Sequence, residues 1–409
     1  MTTLPDTGHL AAGRYQIEEE AGEGGFAKAY RATDTHTGET VAVKYPNYEG
    51  SSNDPDIIEQ YFLQEASTLE RIEAAGGHEN LMNLIDREEE DGTPLLVVQY
   101  VDGYELDAAI EETGPLEDTS HVRDIGIDLC DAMSFLHENE IVYRDLKPDN
   151  VMVTERDGHA VPVLIDFNTA TGFDEDGQAK DSGTTILGPY KPAEVADAGN
   201  SDARQGPWSD VYSIGKILLF LLKGTVPRKD GVNPRDFGVD CAPYLAAVVE
   251  TATQPDYESR YRNATAMRHV LESKDPSPPP EASLMYVQEN VNYTIYPGDT
   301  VGRRYAKGPT PSIAIEDDGE YISTVQVQFD VRDGQWILRD RSLNGTYVQA
   351  GNGWQRVLSE AGRERLREQG EDPTDRHGAV PPTTYELSDG DLIALVHPSY
   401  SVSFEFGTL

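Results

Sequence analysis

The sequence predicts two fold types in one chain, a mixed α+β part followed by an all-β part. Three observations carry the prediction. Strand-like runs separated by glycine turns fill residues 14–48, and apolar residues then recur at helical spacing through much of residues 56–272. A charged, proline-rich stretch, Lys274–Ser283 (KDPSPPPEAS), interrupts both patterns. Beyond it, short runs bounded by Gly and Asp return with the spacing of a β-sandwich.

Tyr15–Ile17, Ala27–Thr33 and Thr40–Tyr45 read as strands, with Gly24-Gly25 and Thr37-Gly38 as turns. Asp56–Ala74 sets Ile57, Ile58, Phe62, Leu69 and Ile72 on one helical face, and Leu95–Val101 is a short apolar strand. Helices follow over Thr119–Asn139, Ser209–Leu222, Tyr244–Thr253 and Ala264–Glu272. The strand-rich lobe thus extends to about residue 101 and a helical lobe follows, a mixed arrangement. Prolines cannot sustain a helix, so residues 272–283 read as a stiff linker. Residues 284–409 then carry strands over Asn292–Ile295, Val325–Val331, Gln335–Arg339, Thr346–Gln349, Leu392–Val396 and Ser401–Phe406. A polar excursion near 351–386, helix-like over Ser359–Gln369, reads as an insertion.

Charge narrows the function classes. The 409 residues carry 33 Lys plus Arg against 73 Asp plus Glu, a net of -40. That balance argues against nucleic acid or an anionic membrane as partner, since both need basic surface. Lysine is scarce, 10 against 23 arginines, and acids cover every segment. The pattern is halophilic in type, suited to a molar-salt cytoplasm where the Debye length falls to ~3 Å. The longest apolar run, Ile214–Leu222, is far too short for a membrane span, and MTTLPDTGHL has no signal-peptide character. Cys130 and Cys241 are too few for a disulfide framework or zinc cluster. A soluble, cytoplasmic protein is expected.

Gly22-Glu-Gly24-Gly25-Phe26 sits in a hairpin, which needs glycine whatever its function. Its later partners in the chain raise its weight. Lys44, in the apolar strand Val41-Ala42-Val43-Lys44, wants an anion, and Glu65 on the following helix supplies one carboxylate. Then come Asp145-Leu-Lys147-Pro-Asp-Asn150 and Leu164-Ile-Asp166-Phe167. A proton-accepting Asp, a Lys and two hard oxygen ligands suited to magnesium form the parts of in-line phosphoryl transfer.

In that order and spacing, residues 15–271 resemble a eukaryotic-type Ser/Thr protein kinase domain, which implies a bilobal kinase-like fold. The resemblance implies that Gly22 and Gly24 cover the phosphates and that Lys44 grips them while paired with Glu65. Ala42, with the backbone of Gln99 and Val101 after gatekeeper Val98, belongs to the nucleotide site, and Glu105 is a candidate for the ribose. Asp145 is then the catalytic base, Lys147 lies near the transferred phosphoryl group, and Asn150 and Asp166 hold the metal. ATP with Mg2+, or Mn2+ in its place, is the implied cofactor set. Asp210 would brace the catalytic loop, and Glu194 would pair with Arg260. Within the activation segment, Thr184 and Thr185 are candidate autophosphorylation sites facing Arg144.

Several residues depart from the family pattern. Ala27 replaces a loop glycine, Ala29 replaces a valine, and Pro192-Ala193-Glu194 reorders the usual Ala-Pro-Glu. Asn168 replaces the glycine after Asp166-Phe167, where its tolerance of left-handed backbone would preserve the turn. No residue with a direct chemical role is missing.

In the C-terminal part, Val301-Gly302-Arg303, Ile322-Ser323-Thr324 and Leu343-Asn344-Gly345-Thr346 are each ordinary turns when taken alone. Together with Trp336, Asp340 and Leu387-Ser-Asp-Gly-Asp-Leu-Ile393 they resemble a forkhead-associated (FHA) domain, an all-β sandwich. The resemblance implies that Arg303, Ser323, Thr324 and Asn344 bind phosphothreonine, with Gln326 in place of a structural His. The expected partners are protein substrates and phosphothreonine peptides, or the chain's own phosphorylated segment. A pseudokinase scaffold acting only through phosphopeptide binding is the alternative.

Overall fold

The structure is a computed structural model that describes residues 5–51, 53–156, 158–172, 188–196, 205–277, 280–304, 311–317, 319–332, 334–351, 353–374, 378–400 and 402–408. It divides into two compact units, Met1–Pro276 and Ser277–Leu409.

The first unit begins with a six-stranded antiparallel sheet, ordered Leu10–Ala11, Tyr15–Glu23, Ala27–Asp34, Thr40–Pro46, Thr93–Gln99 and Leu84–Glu90. Strand alternation splits its side chains between two faces. Val41, Val43 and Tyr45 join Tyr15, Ile17 and Tyr30 in one apolar cluster. Ala42, Leu96 and Val98 join the larger core with Phe62 and Leu69 of the helix Pro55–Ala74. Lys44 follows Ala42 by two residues, so it points toward that helix. The helix starts where Asp54 accepts a hydrogen bond from the Asp56 N–H and Pro55 occupies the first turn.

The helical lobe is built on Thr119–Glu138, Pro207–Lys223, Pro243–Ala252 and Ala264–Ser273. The run expected at Ser209–Leu222 is its central helix, buried from Ser209 through Leu222 without interruption. At Gly215 an added Cβ would lie 2.8 Å from Ala252 Cβ, so glycine admits the neighbouring helix. Cys130 and Cys241 are free and buried. Among the described residues, no helix is long and apolar enough to cross a membrane.

The second unit is a sandwich of two sheets. One has six strands, ordered Val291–Ile295, Ala282–Tyr286, Ser403–Thr408, Leu392–Leu395, Thr346–Ala350 and Gly353–Val357. The other has five, ordered Ile313–Ile315, Thr300–Arg303, Val327–Arg332, Gln335–Asp340 and Thr384–Glu386. Leu284, Val301, Phe329, Leu338, Ile393, Phe404 and Phe406 fill the space between them.

Two boundaries shift. The last helix of the first unit runs to Ser273 and the first strand of the second starts at Ala282, which narrows the linker expected at 272–283. The insertion expected near 351–386 is narrower too, because Gly353–Val357 and Thr384–Glu386 are sheet strands. Only the stretch between them, with its helix Glu360–Glu368, departs from the sandwich.

Candidate active site and phosphate-binding loops

A cleft of about 610 Å³ in the first unit is lined by Gly22, Gly24, Ala29, Lys44, Glu105, Asp145, Lys147, Asn150 and Asp166. The size suits a small-molecule ligand. At its roof, Phe26 stacks on Tyr61 of the helix Pro55–Ala74, ring centroids 4.4 Å apart. Asn47 donates through Nδ2 to Gly24 O at 2.8 Å, which holds the glycine turn to the sheet. An added Cβ at Gly22 would meet nothing within 4 Å, so internal packing does not demand glycine there.

Lys44 Nζ lies 2.5 Å from Glu65 Oε1, and Glu65 is buried. Burial alone would lower the lysine pKa, but the Glu65 and Asp166 carboxylates outweigh it and raise it. Lys44 is therefore a firmly charged ammonium at the cleft wall.

The catalytic-loop region turns on Asp210, a fully buried carboxylate. It accepts the backbone N–H groups of Tyr143 and Arg144 at 2.9 and 2.8 Å, and His137 Nε2 lies 2.9 Å away. Arg144 carries a positive φ of 67°. For a non-glycine residue that conformation costs roughly 1–2 kcal/mol, offset here by the two N–H bonds to one carboxylate. The strained turn aims the next residue, Asp145, into the cleft. Asn150 donates through Nδ2 to Asp145 O at 2.8 Å and Oδ2 at 3.2 Å, leaving its Oδ1 as the end available to a cation. Asp166 accepts from Asn168 twice, from the backbone N–H and from Nδ2, both at 3.1 Å. Asn168 is not among the residues with positive φ, contrary to expectation. Its side-chain bond, rather than left-handed backbone, replaces what glycine would give that turn. The donor set of one carboxylate and one amide oxygen facing the cleft fits a hard divalent cation that also takes phosphate oxygens.

At the end of the strand Thr93–Gln99, the Gln99 N–H donates to Asn83 O at 2.9 Å. Glu105 precedes the helix Leu106–Thr113 and lines the cleft, as a ribose contact would. Burial, reinforced by Asp107 and Asp149, raises its pKa. Lys147 Nζ sits 3.4 Å from Asp149 Oδ2 at the cleft mouth. Glu194 receives Arg260 on both oxygens, at 2.6 and 3.3 Å, and Ser209 Oγ at 3.1 Å. Thr184 and Thr185 lie outside the described residues.

One residue behind the cleft carried no sequence signal. Lys191 Nζ forms an ion pair with Asp145 Oδ1 and donates to Arg144 O at 3.1 Å. Its position beside the reordered Pro192-Ala193-Glu194 was the single hint available.

In the second unit, three loops converge on the expected set. Arg303 donates through Nε to Ile322 O at 3.1 Å and through its backbone to Ser323 O at 2.9 Å. Gly302 lets the Thr324 loop pack close: an added Cβ would lie 2.1 Å from Thr324 O. Gln326, fully buried, joins the loops in the place of the family's His. It accepts from the Ser323 N–H at 2.9 Å and donates to Gly345 O and Thr346 Oγ1 at 2.8 and 3.1 Å. Arg304 lies 2.8 Å from Glu316 in an ion pair of its own.

The unassigned helix reaches this same corner. Its capping residue Ser359 donates its N–H to buried Asp340 at 2.8 Å, and Arg365 Nη1 donates to Asn344 Oδ1 at 2.6 Å. Asn344 in turn donates to Tyr321 O at 2.6 Å. The excursion is therefore part of the loop scaffold.

A family model for the protein kinase domain matches residues 15–277, and one for the FHA domain matches residues 300–370. Over 278 residues the chain is 30% identical to a probable serine/threonine-protein kinase of Clostridium acetobutylicum, covering 64% of this chain and 40% of that protein. It is 29% identical to serine/threonine-protein kinase PknA of Nostoc sp., with 69% and 51% covered. Serine/threonine-protein kinase PknB of Mycobacterium leprae is 31% identical, with 69% and 46% covered. The chain thus spans about half the length, or less, of the relatives it matches. With the larger part of its length matched, and the lysine, carboxylates and asparagine of its cleft falling in that family's order, the chain belongs to the protein kinase family.

Proposed function

We propose that the chain is an ATP- and magnesium-dependent protein serine/threonine kinase, residues 15–271, joined to a phosphothreonine-binding module, residues 284–409. One observation carries the proposal: Lys44, Asp145, Lys147, Asn150 and Asp166 all line a single cleft, with Glu65 behind Lys44.

Gly22 and Gly24 cover the nucleotide phosphates, and Lys44, aligned by Glu65, binds the α- and β-phosphates. Asn150 Oδ1 and Asp166 hold the divalent cation, which when bound neutralises charge on the phosphate oxygens. Asp145 accepts the proton of the substrate Ser or Thr hydroxyl, and Lys147 lies beside the group in transfer. Positioning and charge stabilisation do the catalysis. In the second unit, Arg303, Ser323 and Thr324 bind the phosphate and Asn344 fixes the peptide backbone. Its ligands are phosphorylated proteins or the chain's own Thr184 and Thr185, in a cytoplasmic setting.

The test is γ-phosphate transfer in molar KCl by the wild type and Asp145→Asn. A general base contributes about 10²–10⁴-fold, so the variant should fall by that order. Equal background rates in both would return the pseudokinase reading. Phosphothreonine-peptide binding should be lost in Arg303→Ala, and indifference to that change would remove the module's assigned role.

A further inference from the structure

The cleft described above leaves one buried cation unexplained. Lys191 is 2% exposed at its side chain, whereas its partner Asp145 is 14% exposed and opens onto the cleft. Lys191 itself is not among the cleft-lining residues. The ammonium therefore meets the carboxylate from the protein side and leaves the cleft side open to a substrate hydroxyl. Asp145 is gripped at both oxygens: Oδ1 by Lys191 and Oδ2 by Asn150. A carboxylate oxygen has two acceptor directions, so neither contact uses up its capacity.

The cation is costly where it sits. Burial pushes the Lys191 ammonium down to about 7, with Asp210 opposing the shift and Arg144 adding to it. A buried lysine with an arginine for a neighbour is kept only with a carboxylate against it, and the one in contact is Asp145. Lys191 also stands three residues before Glu194, which is locked by Arg260 and Ser209. The segment that anchors the helical lobe and the proton acceptor are thereby joined through one side chain.

We propose that Lys191 is a positioning residue for phosphoryl transfer, fixing the Asp145 carboxylate from behind and making its aim depend on the seating of residues 188–196. The inference rests on the kinase reading above. Lysine acts here as a fixed cation and transfers no proton.

The experiment compares wild type, Lys191→Met, Lys191→Arg, Asp145→Asn and the Lys191→Met/Asp145→Asn double variant. It reads kcat, the KM for ATP, binding of a fluorescent ADP analogue, and Tm. Lys191→Met should lower kcat by roughly 10–100-fold while ADP affinity and ATP KM stay within about twofold. Lys191→Arg, which keeps the cation, should recover most of the loss, and Lys191→Met should cost nothing further once Asp145 is Asn. A kcat for Lys191→Met within about threefold of wild type overturns the proposal. So does Lys191→Arg that folds, binds ADP and remains as slow as Lys191→Met, or an undiminished effect of Lys191→Met beside Asp145→Asn. If Lys191→Met does not fold, Lys191→Arg and its kcat decide alone. Wild type and Asp145→Asn at one shared rate would sink the kinase reading itself, a result distinct from all of these.

Discussion

The two units hold their working residues by different chemistry. In the kinase unit, three of the key carboxylates meet a cation: Glu65 with Lys44, Asp145 with Lys191, Glu194 with Arg260. In the C-terminal module the buried acid Asp340 meets only neutral donors among the described residues. Ser342 Oγ and Thr346 Oγ1 reach Oδ1 at 2.9 and 2.7 Å, and the Ser359 N–H reaches Oδ2 at 2.8 Å. Under the proposed function, the contrast follows from what each site would do. A cleft that takes a polyphosphate needs fixed cations, and buried cations need partners. A module that binds one phosphate on its loops needs mainly a rigid frame, which hydroxyls and amides supply without a second charge.

The sharpest way to break the comparison is to remove one partner of a buried pair. Glu194→Gln leaves Arg260 without its counter-charge, and denaturant unfolding of the first unit should show a loss of about 3–5 kcal/mol. A change below about 1 kcal/mol would mean the pair is no more important than a surface one.

A pH titration comes next. Burial pushes the Asp340 carboxyl up to about 6 from its ordinary 3.8, despite its hydrogen bonds. A carboxyl raised on folding favours the folded state below the unfolded pKa and loses that contribution as pH rises through the folded one. The window is thus about pH 4 to 6, and the size about 3 kcal/mol. Stability of the second unit should fall across that window in wild type and lie flatter in Asp340→Asn. Equal slopes would show that the neutral donors fully replace solvent for the charge.

Ser359→Ala removes a helix cap that also donates to Ser342 O, and should cost about 1 kcal/mol, read by urea unfolding. Phosphopeptide affinity should weaken with it, because the helix it starts carries Arg365 to Asn344.

The smallest effect concerns the acidic surface. Asp128 is raised to about 6 by burial together with Glu79, Asp124 and Asp131. In dilute buffer, Asp128→Asn should stabilise by no more than ~1 kcal/mol, and molar KCl should reduce the gain by screening the three neighbouring carboxylates, leaving the part owed to burial. The buried pairs should not respond to salt in this way. The same screening underlies the proposal that transfer activity requires high salt, which full activity in dilute buffer would refute.

Much of this was legible in the residues, and what was not has a physical reason. Lys44, Glu65, Asp145, Asn150 and Asp166 could be read because each lies in a short local pattern whose chemistry is self-explanatory. Lys191 could not be read, since its partner is brought to it by the fold and no local pattern marks a lysine for burial. Asn168 shows a different limit: its propensity for left-handed backbone was a sound reason for tolerance, yet the side-chain bond to Asp166 made that conformation unnecessary. The helix Glu360–Glu368 was visible as a helix-like stretch over Ser359–Gln369, but its purpose lies in the contact of Arg365 with Asn344. Periodicity names a face without naming what the face will touch.

The pairing of Ala282–Tyr286 with Ser403–Thr408 has a practical consequence. The first and last strands of the second unit are antiparallel neighbours in one sheet, with Ala282 opposite Thr408, so its two ends leave side by side. The stretch that carries the family's recognisable pattern, residues 300–370, contains neither strand, and with them it would lose Leu284, Phe404 and Phe406 from the core. A fragment cut to that pattern should not fold. One cut from Ala282 to Thr408 is a closed cassette whose adjacent ends would let it be spliced into a loop of an unrelated host protein.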